Sequence, residues 1–133
     1  MSVHEALTAA LVATLRGDPA CEGVGVFDAP PVRASPPFVE VTPPILADWG
    51  AKDRRGVEAR LLIRIEDAGE RPVRVRTLAD AVGGVVAAGV AVPGWESGTA
   101  VLARSRIARR GDAKGDGRWI ATIEFRMRLL ESV

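Results

Sequence analysis

Cysteine, histidine and aromatic residues are scarce in this chain of 133 residues, which has one cysteine, one histidine and 5% aromatics. The single Cys21 has no partner for an internal disulfide. No early segment combines a basic start, an apolar run and a cleavage site, so assembly in a reducing cytoplasm is expected. With no histidine near it in the sequence, Cys21 reads as a small core or loop thiol, not a nucleophile. His4 stands beside Glu5 with no other ligand at metal-binding spacing, and reads as a solvated residue of a mobile N-terminus. Long apolar runs are missing too. The most apolar stretch, Val82–Val92, is interrupted by Gly83, Gly84 and Gly89 and falls well short of the about 20 residues that cross a bilayer. No membrane partner is expected.

Other shortages narrow the chemistry further. Gly23-Val24-Gly25 lacks the later glycine and lysine of a phosphate-binding loop and precedes a strand, so it reads as a turn. Glu66-Asp67, and the Asp112 and Asp116 pair, read as a strand end and a solvated turn more readily than as an acid–base couple. The inventory offers no catalytic residue, no metal site and no cofactor, and an enzyme is not expected. A net charge of +1 argues against wholesale attraction to polyanions, although charge can still segregate onto one face.

What the chain does have is alternation. Val101–Arg109 and Trp119–Glu131 switch between apolar and charged residues over a length that reads as an extended β-hairpin. In the second arm Trp119, Ala121, Ile123, Phe125, Met127 and Leu129 point one way, while Thr122, Glu124, Arg126 and Arg128 point the other. A strand of this length spans roughly 40 Å at about 3.3 Å per residue, more than one helix of a small domain covers. The remainder is expected to meet another subunit. The tip, Arg110–Gly117, is rich in glycine and charge and is expected to be mobile when free. Its Arg110-Gly111-Asp112 triplet is too short a match to carry an adhesion reading.

Upstream, Ser2 is placed to cap a helix whose apolar stripe is Val3, Leu7, Ala10, Leu11 and Leu15, stopped by Gly17, Asp18 and Pro19. Short strands are expected at Val24–Phe27 and Phe38–Thr42, separated by a proline-stiffened connector. Pro43–Gly56 reads as an exposed excursion. Val57–Asp67 resumes alternation and reads as a central strand. Pro72 suits the first turn of a second helix with a stripe of Val75, Leu78, Val82, Val85 and Val86. Gly83 and Gly84 weaken its later half by roughly 1 kcal/mol each, which predicts close packing or fraying there. Pro93–Gly98 reads as a turn into the hairpin. The order gives one α+β domain over residues 1–133: a mostly antiparallel sheet with a long C-terminal β-hairpin and two helices on one face.

The other sheet face stays charged, with Glu58, Arg60, Arg64, Glu66, Arg104, Arg106, Glu124, Arg126 and Arg128 available for cross-strand ion pairs. It is open to two readings, a solvated face or a ring interface and lumen lining. In the excursion, Trp49 is the preferred interface anchor because Asp48, Lys52, Asp53, Arg54 and Arg55 form a polar rim around it. The alternative for Trp49, as for Trp95, is a ring folded over the core. Around the hairpin tip, Arg109, Arg110, Lys114 and Arg118 are candidate contacts. With Arg104 and Arg106 they also favour a β-ribbon that binds nucleic acid. Asp112 and Asp116 dilute that charge, and Trp119 follows the apolar alternation better than it serves as a stacking platform.

At this point the chain resembles a family, the small tail-terminator or tail-completion proteins of long-tailed phages and gene transfer agents. The likeness runs nearly the whole length, through the N-terminal helix, Gly25-Val26-Phe27-Asp28, Pro37-Phe38-Val39, Asp48-Trp49, Gly56-Val57-Glu58, the second helix and Phe125-Arg126. The chain departs from the pattern at Val41-Thr42-Pro43, where a glycine is expected. The resemblance implies a virion protein that forms a ring, usually a hexamer, at the head-proximal end of the tail tube. Its partners would be other copies of itself, the tail tube protein and a head–tail connector or stopper. It also implies a place at the head–tail joint of a particle, with DNA passing through the lumen without sequence specificity. A lumen of alternating charge is expected, since a strongly basic one would retain the duplex.

Overall fold

The computed structural model describes residues 2–110 and 117–133. Its elements in chain order are α1 (Val3–Arg16), β1 (Gly25–Phe27), β2 (Phe38–Val41), β3 (Ile45–Asp48), β4 (Gly56–Ala68), α2 (Val73–Ala88), β5 (Trp95–Ser97), β6 (Val101–Arg110) and β7 (Arg118–Glu131), with a short 3-10 turn at Pro19–Cys21. The architecture is α+β, a mostly antiparallel sheet with both helices on one face, as the element order predicts.

The sheet is built outward from two long strands. β4 and β7 pair antiparallel from Gly56 opposite Leu130 to Ala68 opposite Arg118. Beyond β4 lie β2, opposite its second half, and β3, opposite its first. Beyond β7 lie β5 and β6. β1 adds to β2 in parallel. Two of these strands depart from the sequence reading. β3 lies inside the expected excursion and β5 inside the expected turn, because four and three residues are too few for alternation to show.

The helix-facing side of the sheet is continuous apolar surface. Val57, Ala59, Leu61, Ile63 and Ile65 of β4 and Ala121, Ile123, Phe125, Met127 and Leu129 of β7 are buried there. They meet Leu7, Leu11 and Leu15 of α1 and Val75, Leu78, Val82 and Val86 of α2. Ser2 caps α1 by accepting the Glu5 amide at 3.1 Å, so His4 belongs to an ordered first turn and not to a loose terminus. Val85 is half-buried at the margin of the α2 stripe. Pro72 stands just before α2, at its cap. The helix runs unbroken through Gly83 and Gly84, where an added Cβ would meet nothing within 4 Å. The expected close packing is therefore absent.

An ion pair locks α2 to the sheet. Asp67, only 3% exposed at the inward end of β4, accepts from Arg74 Nε at 2.8 Å and Arg74 Nη2 at 2.6 Å, and from the Ala68 amide at 2.8 Å. Burial pushes its pKa up, but these hydrogen bonds and the charges of Arg74 and Arg118 outweigh that and hold it below the ordinary value. Cys21 is buried, and burial together with Asp18 raises its thiol pKa, which leaves it unreactive. The hairpin is tied down where it leaves its tip. Gly117, at φ +67°, accepts from the Gly69 amide at 3.0 Å, and Trp119 Nε1 donates to the Gly69 carbonyl at 3.0 Å.

Candidate interaction surface

The side of the sheet away from the helices is laid out by register. β4 places Glu58, Arg60, Leu62, Arg64 and Glu66 outward, and opposite them β7 places Arg128, Arg126, Glu124, Thr122 and Ile120. β2 adds Glu40 beside Arg64. β6 adds Arg104 beside Glu124, Arg106 beside Thr122 and Arg110 beside Arg118. Each outward carboxylate on these strands has an arginine: Glu58 with Arg128 at 3.0 Å, Glu40 with Arg64 at 3.4 Å, Glu124 with Arg104 at 3.3 Å and Glu66 with Arg110 at 3.2 Å. Of the nine residues the sequence offers for cross-strand pairing, Glu58, Arg64, Glu66, Arg104, Glu124 and Arg128 form pairs, two of them with Glu40 and Arg110 from outside that set.

The balance of that face is not the even alternation expected. Glutamates stand at five outward positions, 40, 58, 66, 96 and 124, and arginines at eight, namely 60, 64, 104, 106, 110, 118, 126 and 128. Arg60, Arg106 and Arg126 are exposed and, among the described residues, have no hydrogen-bond or ion-pair partner. Arg60 and Arg126 are also directly opposite one another, an arrangement that costs stability when nothing neutralises it.

β6 is unlike the other long strands. A bulge between Leu102 and Arg104 resets its register, so the alternation read over Val101–Arg109 is broken after its second residue. No residue of β6 is fully buried. Val101 is 60% exposed on the outer side and Leu102 is 53% exposed on the helix side. The sequence missed these two residues as surface features, because alternation marks the facing of a residue and not whether anything covers it.

The excursion candidates separate into two groups. Arg54 donates through Nε and Nη2 to the Glu131 carbonyl at 3.2 and 2.7 Å and pairs with Glu96 at 3.0 Å. Arg55 lies 5.8 Å from the Trp95 ring centroid, and its carbonyl accepts from the Glu131 amide at 2.8 Å. These two arginines fasten the β3–β4 loop to β5 and β7, an internal task that the polar-rim reading did not foresee. Trp95 is half-buried against the core, which settles its position as a core cap. Asp48, Trp49 and Lys52 remain exposed. Trp49 is 40% exposed and carries Arg128 at 4.8 Å over its ring. The loop is tight at its neck, where a Cβ on Gly50 would sit 2.7 Å from both Arg54 O and Gly56 N. Trp49, Glu58, Val101, Arg126 and Arg128 line a cleft of about 430 Å³ at this end of the outer face.

At the tip end, Arg109 turns to the helix side and lies 5.6 Å from the Trp119 ring centroid, while Arg110 is engaged by Glu66. Arg118 stands outward opposite Arg110. Lys114 and the rest of the tip triplet lie outside the described residues. The structure thus brings Arg60, Arg64, Arg104, Arg106, Arg126, Arg128 and Glu124 onto one surface with Trp49 at its rim, and removes Arg54, Arg55 and Arg109 from it.

Neither a family model nor a curated protein matches this chain. A solved structure does. A chain described as "Virion of native gene transfer agent (GTA) particle" has the same fold, with a TM-score of 0.83 over 97% of this chain and 98% of that one, at 23% identity. At that identity the likeness is one of fold. Among the described residues no group of three or more histidine, cysteine, aspartate or glutamate side chains is arranged to hold a metal, and no helix is long and apolar enough to cross a membrane.

Proposed function

We propose that this chain is a non-enzymatic virion protein, a single tail-terminator-like domain that forms a ring at the head-proximal end of a tail tube, stops tube growth and joins the tail to the head connector. The observation that carries this reading is β6. It is a ten-residue edge strand with exposed residues on both sides, and Val101 and Leu102 at its start are apolar surface that its own helices leave bare. A bare, partly apolar start to an edge strand suits a heterologous contact, and such contacts close into rings after a fixed rotation. The shared fold with a chain of a gene transfer agent virion supports the same setting. The partners are further copies in a ring, probed first as a hexamer, with the tail tube protein below and a connector or stopper above. The site of action is the head–tail joint of a particle assembled in the cytoplasm.

Electron microscopy of the protein, alone and mixed with its tail tube protein, tests this. Rings or tubes capped at a defined length are expected, and Leu102→Arg removes them while the subunit stays folded. A monomer that never caps or shortens tubes, yet shifts with duplex DNA, sinks the terminator reading in favour of a β-ribbon DNA-binding protein. The excess of arginine on the outer face is the observation that keeps this second reading in play.

A further inference from the structure

We infer that the outer, arginine-bearing face of the sheet is the surface that contacts the phosphate backbone of duplex DNA, weakly and without regard to sequence. The inference deepens the ring reading by assigning the lumen side to this face and the helices to the outside.

Three observations carry it. The first is charge. The face holds eight arginines against five glutamates on a chain whose total charge is only +1, so the positive charge is concentrated there. Every outward glutamate is already matched, and Arg60, Arg106 and Arg126 are left over. The second is the placement of Arg60 directly against Arg126 in the middle of the sheet. Like charges opposed on one face repel in the free subunit, and an anion laid across them turns that repulsion into attraction. The third is the order of side chains in the row that crosses the sheet there. It reads Ile45, Arg60, Arg126, Val101, so the exposed apolar side chains stand at the two margins and charge stands at the centre. A protein interface is centred on apolar or aromatic anchors with charge depleted from its core. The reverse order fits a polyanion better than an acidic protein.

The chemistry also answers the concern that a basic lumen would hold the duplex. Guanidinium–phosphate contacts of this kind release counterions, weaken steeply with salt and permit sliding. Four ion-paired arginines beside the unpaired ones further limit the grip, because each is already partly neutralised.

The test is fluorescence anisotropy of a short random-sequence duplex with the purified full chain, followed from about 50 to 200 mM salt. The wild type is expected to bind in low salt with a linear log–log salt dependence. Arg60→Gln/Arg126→Gln is expected to weaken binding and to flatten the salt slope by about 2. Arg71→Gln/Arg76→Gln removes the same charge from the segment leading into α2 and from α2 itself, and is expected to leave the slope unchanged. All four positions are exposed and, among the described residues, unpaired, so both doubles should stay folded, the outer-face double melting no lower than the wild type because it loses a repulsion. Equal losses from the two doubles, or no binding at low salt, overturn the inference. So does an outer-face double that keeps the wild-type salt slope but no longer caps tubes, since the face is then a protein interface. Rings seen by microscopy with no DNA dependence on Arg60 and Arg126 would refute this inference alone and leave the terminator reading standing.

Discussion

β6 and β7 are the two arms of one hairpin, written in the same alternating code, and they meet opposite fates. From Ala121 to Leu129 every second residue of β7 is buried under the helices. β6, hydrogen-bonded to it, buries no residue fully and leaves Val101 and Leu102 bare. Alternation states that a strand has two chemically different sides. It does not state that the domain owns anything to put against them, and that supply is decided by where α1 and α2 end. β6 meets that core at Ile107 and leaves its start, Val101 and Leu102, uncovered.

The comparison can be broken most forcefully by truncation on each arm. Phe125→Ala, at the centre of the buried face, should cost about 3–5 kcal/mol in urea unfolding. Leu102→Ala should stay within about 0.5 kcal/mol in the isolated subunit while impairing ring formation. If the two variants destabilise the subunit alike, β6 is part of the core and the distinction between the arms is lost.

Smaller in effect is the lock that holds α2 on the sheet. Asp67 titrates below its ordinary value in the folded protein, so its contribution is complete above about pH 4 and is lost as pH falls through the lowered folded value. Acid unfolding should therefore steepen below about pH 4 in the wild type. Asp67→Asn should be less stable at neutral pH and lose less on acidification, which a melting series across pH would register. Smaller still, Gly84→Ala, with open space around its new Cβ, should stabilise α2 by about 0.5–1 kcal/mol. The least effect belongs to the edge. A double-mutant cycle on Arg104 and Glu124, a pair whose arginine is mostly exposed, should return a coupling of about 0–1 kcal/mol. A coupling well above that range would mean β6 is held more firmly than its exposure allows.

Much of this was legible in the residues. Both helices, the long central strand and the inward stripe of β7 follow from periodicity, because thirteen or fourteen residues give alternation room to declare itself. β3 and β5 were hidden because so few residues carry no period. The bulge after Leu102 was hidden because it is a matter of pairing, not of composition. On the outer face, the cross-strand ion pairs could be anticipated from charge placement, while the surplus of arginine needed the register that puts Arg60 against Arg126. Arg54 and Arg55 look in sequence like an exposed basic rim. Only the fold shows their partners, Glu131, Glu96 and Trp95, to be neighbours.

That last attachment couples places far apart in the chain. Through Arg54 and the Glu131 main chain, the loop that presents Trp49 is strapped to the final residues of β7. Load applied at the C-terminal end is thereby carried into the rim of the outer face. The end of β7 is a tension member, and a load placed there pulls directly on the loop that carries Trp49.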